Sequence, residues 1–199
     1  NKKTGFKNTR IRGYESLTDF KELYPDISFE LFEYGSIRAA NMVQEGKLDL
    51  ALVNMHFYEI DKLNSFTVMN DKIVFCVSKS HPLAKCHEVT IEMIKNEPLI
   101  MYNTDSVQNE TLDTAFKRAG VNPNVILHAS QLYTIRNFIC NNLGGAFLYS
   151  SLQKNLSGTT GIPISPVINQ NIGIVWKKGS YTTDSAEKFI TYIINKYSN

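Results

Sequence analysis

Residues 20–53 read FKELYPDISFELFEYGSIRAANMVQEGKLDLALV, and the class of the fold follows from them. An apolar-periodic helix stops at Tyr24-Pro25, because proline cannot continue a helix and disfavours helical geometry in the residue before it. Ile27, Phe29 and Leu31 then alternate with Ser28, Glu30 and Phe32, the pattern of a half-buried strand. Ser36 stands where a helix N-cap is expected, the helix runs through Gln44, and Gly46 suits a left-handed stop. Leu48 to Val53 follows as a short apolar strand interrupted only by Asp49. A nearly continuous apolar strand inside a β/α series predicts an α/β sheet covered on both faces.

Working outward, Ile11, Tyr14, Leu17, Phe20 and Tyr24 recur at steps of three and four, so the first helix spans about 10–24, with Thr9 as its candidate cap. Residues 1–8 carry no clear pattern. Beyond a loop at 54–65, Phe66–Met69 and Ile73–Val77 read as two strands separated by a turn at Asn70-Asp71. Thr90 caps a short helix over 91–96, and Leu99–Tyr102 is a strand. A polar loop at 103–106 leads to a helix over 107–119 that Gly120 ends. Val125–His128 is a strand, Ser130 caps a helix to about Asn142 that Gly144-Gly145 ends, and Ala146–Tyr149 is a strand. Residues 152–166 read as irregular, Ile172–Trp176 as a strand and Ser185–Tyr197 as an amphipathic helix. The series over 72–168 makes one lobe, and 1–71 joined to 169–199 makes the other. The predicted architecture is therefore two Rossmann-like α/β lobes with a hinge and a cleft between them. In such folds small ligands sit beyond the carboxyl ends of strands, against helix starts.

The 199 residues are 43% apolar, and 21 basic side chains face 19 acidic ones for a net charge of +2. The near balance speaks against a dedicated nucleic-acid surface, which shows a clustered basic stripe. No run reaches the ~18 apolar residues of a membrane span, so no membrane partner is expected. The opening residues, NKKTGFKN, lack the apolar stretch of a secretion signal. Cys76, Cys86 and Cys140 are an odd, sparse set, which suggests reduced thiols and a cytoplasmic protein. Cys76 and Cys140 lie in apolar runs and read as small core residues.

Several short motifs recur in order. They are Phe20-x-x-x-Tyr24-Pro25-x-Ile27, Glu33-x-Gly35-Ser36 and Glu45-Gly46-x-Leu48-Asp49-Leu50-Ala51-Leu52 in the first third, then His81-Pro82-Leu83-Ala84 after a strand. Thr90-Ile91-x-x-Ile94, Glu97-Pro98-Leu99-Ile100, Phe116-x-x-Ala119-Gly120 and Leu143-Gly144-Gly145-Ala146 follow. Each is short, but together, over about 17–199, they resemble the effector-binding domain of LysR-type transcriptional regulators, which is similar to the type 2 periplasmic-binding-protein fold. The resemblance implies a sensing domain without enzymatic activity. It would bind a small, polar or anionic metabolite between its lobes and relay occupancy to a helix-turn-helix DNA-binding domain upstream of this sequence. DNA would be a partner only through that domain. The family's opening strand would fall at or before residue 1. The resemblance also implies an antiparallel homodimer or a tetramer, burying the helix at 10–24 and its following strand against the partner's helix at 131–142.

Carried over position by position, the resemblance places effector contacts at Ser36, at Asn54 and Met55 after the LDLALV strand, at Tyr102, Asn103 and Thr104 after LIMY, at Ser130 and Gln131, and at Tyr149. Ser36 and Ser130 serve equally well as helix caps, the commoner fate of such residues. Arg38 and Arg136 are candidates for a bidentate grip on a carboxylate, against the simpler reading as surface charges. No cofactor or metal is expected. His81, Cys86 and His87 are close in sequence but match no zinc spacing, and nucleophile-elbow and phosphate-loop motifs are absent. Cys76 and Cys86 flank a turn, which leaves redox pairing as a minor alternative. A transport-type solute-binding protein of the same fold is the second functional reading. An enzyme on this fold, related to porphobilinogen deaminase or prephenate dehydratase, is the third.

Overall fold

The computed structural model describes residues 3–6, 13–56, 61–102, 106–179 and 183–198, with side chains from Glu15 onward. The chain divides into two compact units, residues 1–70 with 171–199 and residues 71–170. It opens in the first unit with β1 (Lys3–Phe6), α1 (Gly13–Leu23), β2 (Leu31–Phe32), α2 (Ser36–Gln44), β3 (Leu48–Asn54) and the start of β4 (Leu63–Ser78). The second unit takes the rest of β4, then β5 (Leu99–Met101), α3 (Val107–Ala119), β6 (Val125–His128), α4 (Leu132–Cys140), β7 (Gly145–Tyr149), α5 (Ser150–Gln153) and β8 (Thr159–Pro163). The chain returns to the first unit through β9 (Asn169–Lys177) and ends with α6 (Asp184–Tyr197).

In the first unit the strand order is β2-β1-β3-β9-β4, with β1 parallel to both β2 and β3 and β9 antiparallel to β3. β3 is buried along nearly its whole length, as its apolar run requires. Ala51 and Val53 face Ala39, Ala40 and Val43 of α2. Leu50 and Leu52, at alternate positions, point to the opposite face and are also buried. α1 and α6 pack around Phe20, which is fully buried with ring centroids of Tyr24, Phe29, Phe189 and Tyr192 4.7–5.7 Å away. Ser16 and Tyr197 share a 2.6 Å hydroxyl bond, and Lys196 pairs with Asp19 at 2.6 Å.

The second unit has the strand order β8-β4-β7-β5-β6. One sheet face carries Phe75, Leu99, Met101 and Phe147 under Leu112 and Phe116 of α3. The other carries Cys76, Ile100, Ala146 and Leu148 under Ile135 and Ile139 of α4. Each unit is thus a sheet clothed by helices, the mixed α/β fold expected from the residue pattern.

Several local readings need correction. An opening strand is present: β1 pairs through Thr4 and Gly5 with Leu31 and Phe32. The strand expected at 27–32 shrinks to Leu31–Phe32, and its phase is reversed. Leu31 is 46% exposed while Phe32 is half-buried, because Phe32 is the residue that packs against the apolar cluster of α2 and β3. Asn70-Asp71 is no turn. β4 runs unbroken over 16 residues, and Asp71 instead accepts bonds from the Ser151 hydroxyl and amide at the start of α5. α4 ends at Cys140 with Asn141 as its cap, not at the glycines. Asn142 takes φ +54°, with Leu143 N–H donating to Phe138 O and Asn142 N–H to Ile139 O. Gly145 is needed for space instead, since a β-carbon there would collide with the Phe75 ring. Residues 159–163, read as irregular, form β8 against β4. Gly46 and Gly120 do end their helices in left-handed geometry, at φ +73° and +66°. Thr9, Ile11 and the Tyr14 side chain lie outside the described residues.

Candidate functional site

In the first unit the predicted residues converge. The start of α2 lies over the end of β3, so Ser36, the first helical residue, meets Asn54, the last strand residue. The cap position is Gly35, which has no side chain to bond the opening amides of α2. Ser36 is therefore not the cap expected from its position. Its hydroxyl accepts the Asn54 backbone N–H at 3.0 Å, and both residues are buried, at 5% and 3% exposure. Asn54 Oδ1 accepts the His56 N–H at 3.1 Å, turning the chain sharply after the strand. Met55 is half-buried and donates its N–H to Asn171 O. Its thioether lies over Gly173, where any β-carbon would meet sulfur at 2.7 Å. A helix start that offers main-chain donors beside a strand end suits a polar or anionic ligand.

In the second unit the polar residues of the first turn of α3 are turned toward β7 and the end of β5. Ser106 caps the helix by accepting the Asn109 N–H at 3.2 Å. Gln108 Nε2 donates to Phe147 O at 2.6 Å, and Asn109 Nδ2 donates to Tyr102 O at 2.7 Å. His128, at the end of β6, reaches the same Tyr102 carbonyl at 3.1 Å. Burial pushes the Tyr102 hydroxyl well above the ordinary tyrosine range, and the neighbouring Tyr149 and Cys76 add to the effect by disfavouring further negative charge. The hydroxyl is a neutral hydrogen-bonding group, not an ionisable one. Tyr102 packs on the α4 side of the sheet and Tyr149 on the α3 side.

Ser130 and Gln131 are exposed. Gln131, not Ser130, occupies the cap position of α4, and its side chain makes no capping bond. Asn103 and Thr104 lie outside the described residues. The arginines have structural roles: Arg38 stacks on Tyr34 at 4.6 Å, and Arg136 donates to Ser157 O and Oγ, each at 3.0 Å. His81 receives the Leu83 N–H on Nδ1 and donates from Nε2 to Glu97 at 3.0 Å, so it serves the turn that its motif suggested. Cys76 and Cys86 belong to apolar clusters on opposite sheet faces, which removes the pairing considered above. Among the described residues no group of three or more histidine, cysteine or carboxylate side chains could hold a metal ion, and no helix is long and apolar enough to cross a membrane.

Sequence reasoning missed His128, Gln108 and Asn109. The only signal was Ser106 followed by polar residues in the first turn, since these side chains bond backbone groups outside their own elements, 7 to 39 residues away.

Comparison with known proteins adds four findings. Residues 15–198 match the LysR substrate binding domain family. An uncharacterized HTH-type transcriptional regulator of Bacillus subtilis, YwbI, is 32% identical over 179 residues, 88% of this chain and 59% of that protein. The HTH-type transcriptional regulator CysB of Haemophilus influenzae is 30% identical over 131 residues, 66% of this chain and 41% of its own. The chain thus spans about three-fifths or less of these relatives. Two solved domains share the fold across the whole chain and 97% of their own. They are the Synechocystis CcmR regulatory domain in complex with 2-PG (TM-score 0.89, 20% identity) and the effector binding domain of QuiR in complex with shikimate (TM-score 0.87, 16% identity).

Proposed function

This chain belongs to the LysR substrate-binding domain family, and on that premise we propose that it senses a small polar or anionic metabolite for a longer transcriptional regulator. The observation that carries the reading is the family match over residues 15–198 on a fold shared with effector-bound regulatory domains. The chemistry agrees with it. Strand ends and helix starts in each unit carry hydroxyls, amides and main-chain donors, a lining for hydroxylated acids rather than for hydrocarbons. The effector residues are Ser36, Asn54 and Met55 from the first unit, and Tyr102, Asn103, Thr104, Ser130, Gln131 and Tyr149 from the second. The two arginines are engaged elsewhere, so main-chain and hydroxyl donors carry the recognition of charge. The effector acts by binding two conformations of the regulator unequally, and it shifts their balance only by that difference. DNA is reached through a helix-turn-helix domain of the kind the relatives are named for, and the protein works in the cytoplasm without enzymatic activity.

The domain also pairs with a second copy. Leu23 and Leu31 of the first unit are 63% and 46% exposed, and Tyr133 and Ile126 of the second 76% and 47%. Antiparallel pairing covers the first set with the partner's second set. Light scattering that found only monomer at high concentration would remove this part of the proposal.

A melting-temperature screen against shikimate, 2-PG and the small carboxylates of central metabolism tests the effector reading. A ligand at a hundred times its dissociation constant adds about 2.7 kcal/mol to native stability. At ~2–4 °C per kcal/mol for a domain of this size, the melting point rises ~5–11 °C. Calorimetry on Ser36→Ala and on Ser130→Ala with Asn103→Ala then tests each unit's share. The reading fails if no acid of the panel shifts melting, and the site map fails if both variants retain wild-type affinity.

A further inference from the structure

We propose that His128 is a positioning residue that orients Tyr102 for effector binding; this rests on the reading of Tyr102 as an effector residue. β5 and β6 are parallel, with Met101 in register with His128. Their main-chain ladder ends there, the Ala129 N–H donating to Met101 O at 2.9 Å. Tyr102 is the first residue beyond β5, where the ladder gives it no further support from β6. The His128 side chain supplies that support: its Nδ1 lies 3.1 Å from Tyr102 O. Asn109 Nδ2 approaches the same oxygen from α3 at 2.7 Å. A carbonyl oxygen has two acceptor sites, and these two donors use both.

The contact dictates the tautomer. A carbonyl only accepts, so neutral His128 carries its proton on Nδ1 and leaves Nε2 as an acceptor on an exposed ring. His81 has the opposite arrangement, with Nδ1 accepting from Leu83 N–H and Nε2–H facing Glu97. The ring of His128 is exposed, so it adds little to the core. What it fixes is the direction of the Tyr102 carbonyl, held between strand β6 and helix α3.

Two measurements test this. The first needs no effector. Long-range ¹H–¹⁵N spectra of the domain with neutral imidazoles should show the Nδ1–H form at His128 and the Nε2–H form at His81, the latter serving as internal reference. An Nε2–H form at His128 overturns the inference. The second measurement uses the acid giving the largest melting shift in the screen above. Loss of one hydrogen bond that orients the site weakens binding about fivefold. His128→Leu should show that loss, with melting temperature almost unchanged. His128→Asn places an amide nitrogen where Nδ1 stood and should recover affinity, whereas His128→Gln, whose donor lies one bond further out, should not. Equal affinities for wild type and His128→Leu overturn the inference while leaving the effector reading intact. A domain that shows the Nδ1–H form but binds no acid of the panel overturns both the effector reading and the role of His128 in it.

Discussion

Replacing Ser36 by alanine isolates the bond that joins the start of α2 to the end of β3. The Ser36 hydroxyl is the acceptor for the Asn54 amide at 3.0 Å, in surroundings that leave the two residues 5% and 3% exposed. Alanine removes the acceptor without admitting bulk water, so the amide keeps its desolvation penalty and loses its bond. Such an orphaned buried donor costs ~1–3 kcal/mol. Taking ~2 kcal/mol, the melting point falls by roughly 4–8 °C for a domain of about 200 residues. Exchange of the Asn54 amide through local opening accelerates about thirtyfold, since each 1.4 kcal/mol is a factor of ten. Ser36→Thr keeps the hydroxyl and limits both effects. A conventional cap would behave differently, because its loss speeds exchange in the first turn of α2 and leaves Asn54 alone. Hydrogen exchange followed residue by residue, with thermal unfolding alongside, separates the two cases. A loss under about 0.5 kcal/mol with unchanged exchange at Asn54 would refute the reasoning.

Three further outcomes follow from the packing and the electrostatics. Leu50, 2% exposed in β3, should cost ~2–5 kcal/mol when cut to alanine, read by denaturant titration, and Leu50→Asp should give no folded protein by circular dichroism. The Asp19 carboxyl is held below its ordinary 3.8, chiefly by the hydrogen bond from Lys196 and further by its charge. A depressed carboxyl stabilises the fold above its unfolded value and loses that effect as pH falls through its folded value. The stability gap between wild type and Lys196→Met should therefore be full above pH 3.8 and close on further acidification. Burial pushes the Cys76 thiol up to about 11, so a thiolate-selective alkylating agent near pH 8 should modify Cys76 only after unfolding, as mass spectrometry of peptides can show.

Helices were the most legible part of this chain. Their apolar faces repeat within a single segment, as with Phe189, Ile190 and Ile193 of α6, so the pattern is local. The ends of α2 and α3 were legible for a similar reason: Gly46 and Gly120 are the residues that take positive φ at least cost. Strand details were less so. TTGIP at 159–163 reads as irregular until β4 lies beside it, and Leu31 reads as inward although Phe32 is the residue that meets the apolar cluster of α2 and β3. Asn70-Asp71 has turn composition, yet the Asp71 carboxylate is engaged by α5, 80 residues further along the chain. The candidate site divides in the same way. Ser36, Asn54 and Tyr102 could be nominated because the resemblance points to strand ends and helix starts, which are visible in sequence order. His128 and Asn109 could not, because what distinguishes them is a shared bond to the carbonyl of the residue just after β5.

From the residues alone came the α/β class, the helix faces, most strand positions and the family likeness, all properties written in short-range periodicity and local motifs. Only the folded chain decided which hydroxyls cap a helix and which serve a distant amide, and which face of an edge strand turns inward. Those outcomes depend on hydrogen bonds and burial between segments far apart in sequence, where spacing along the chain carries no information about distance in space.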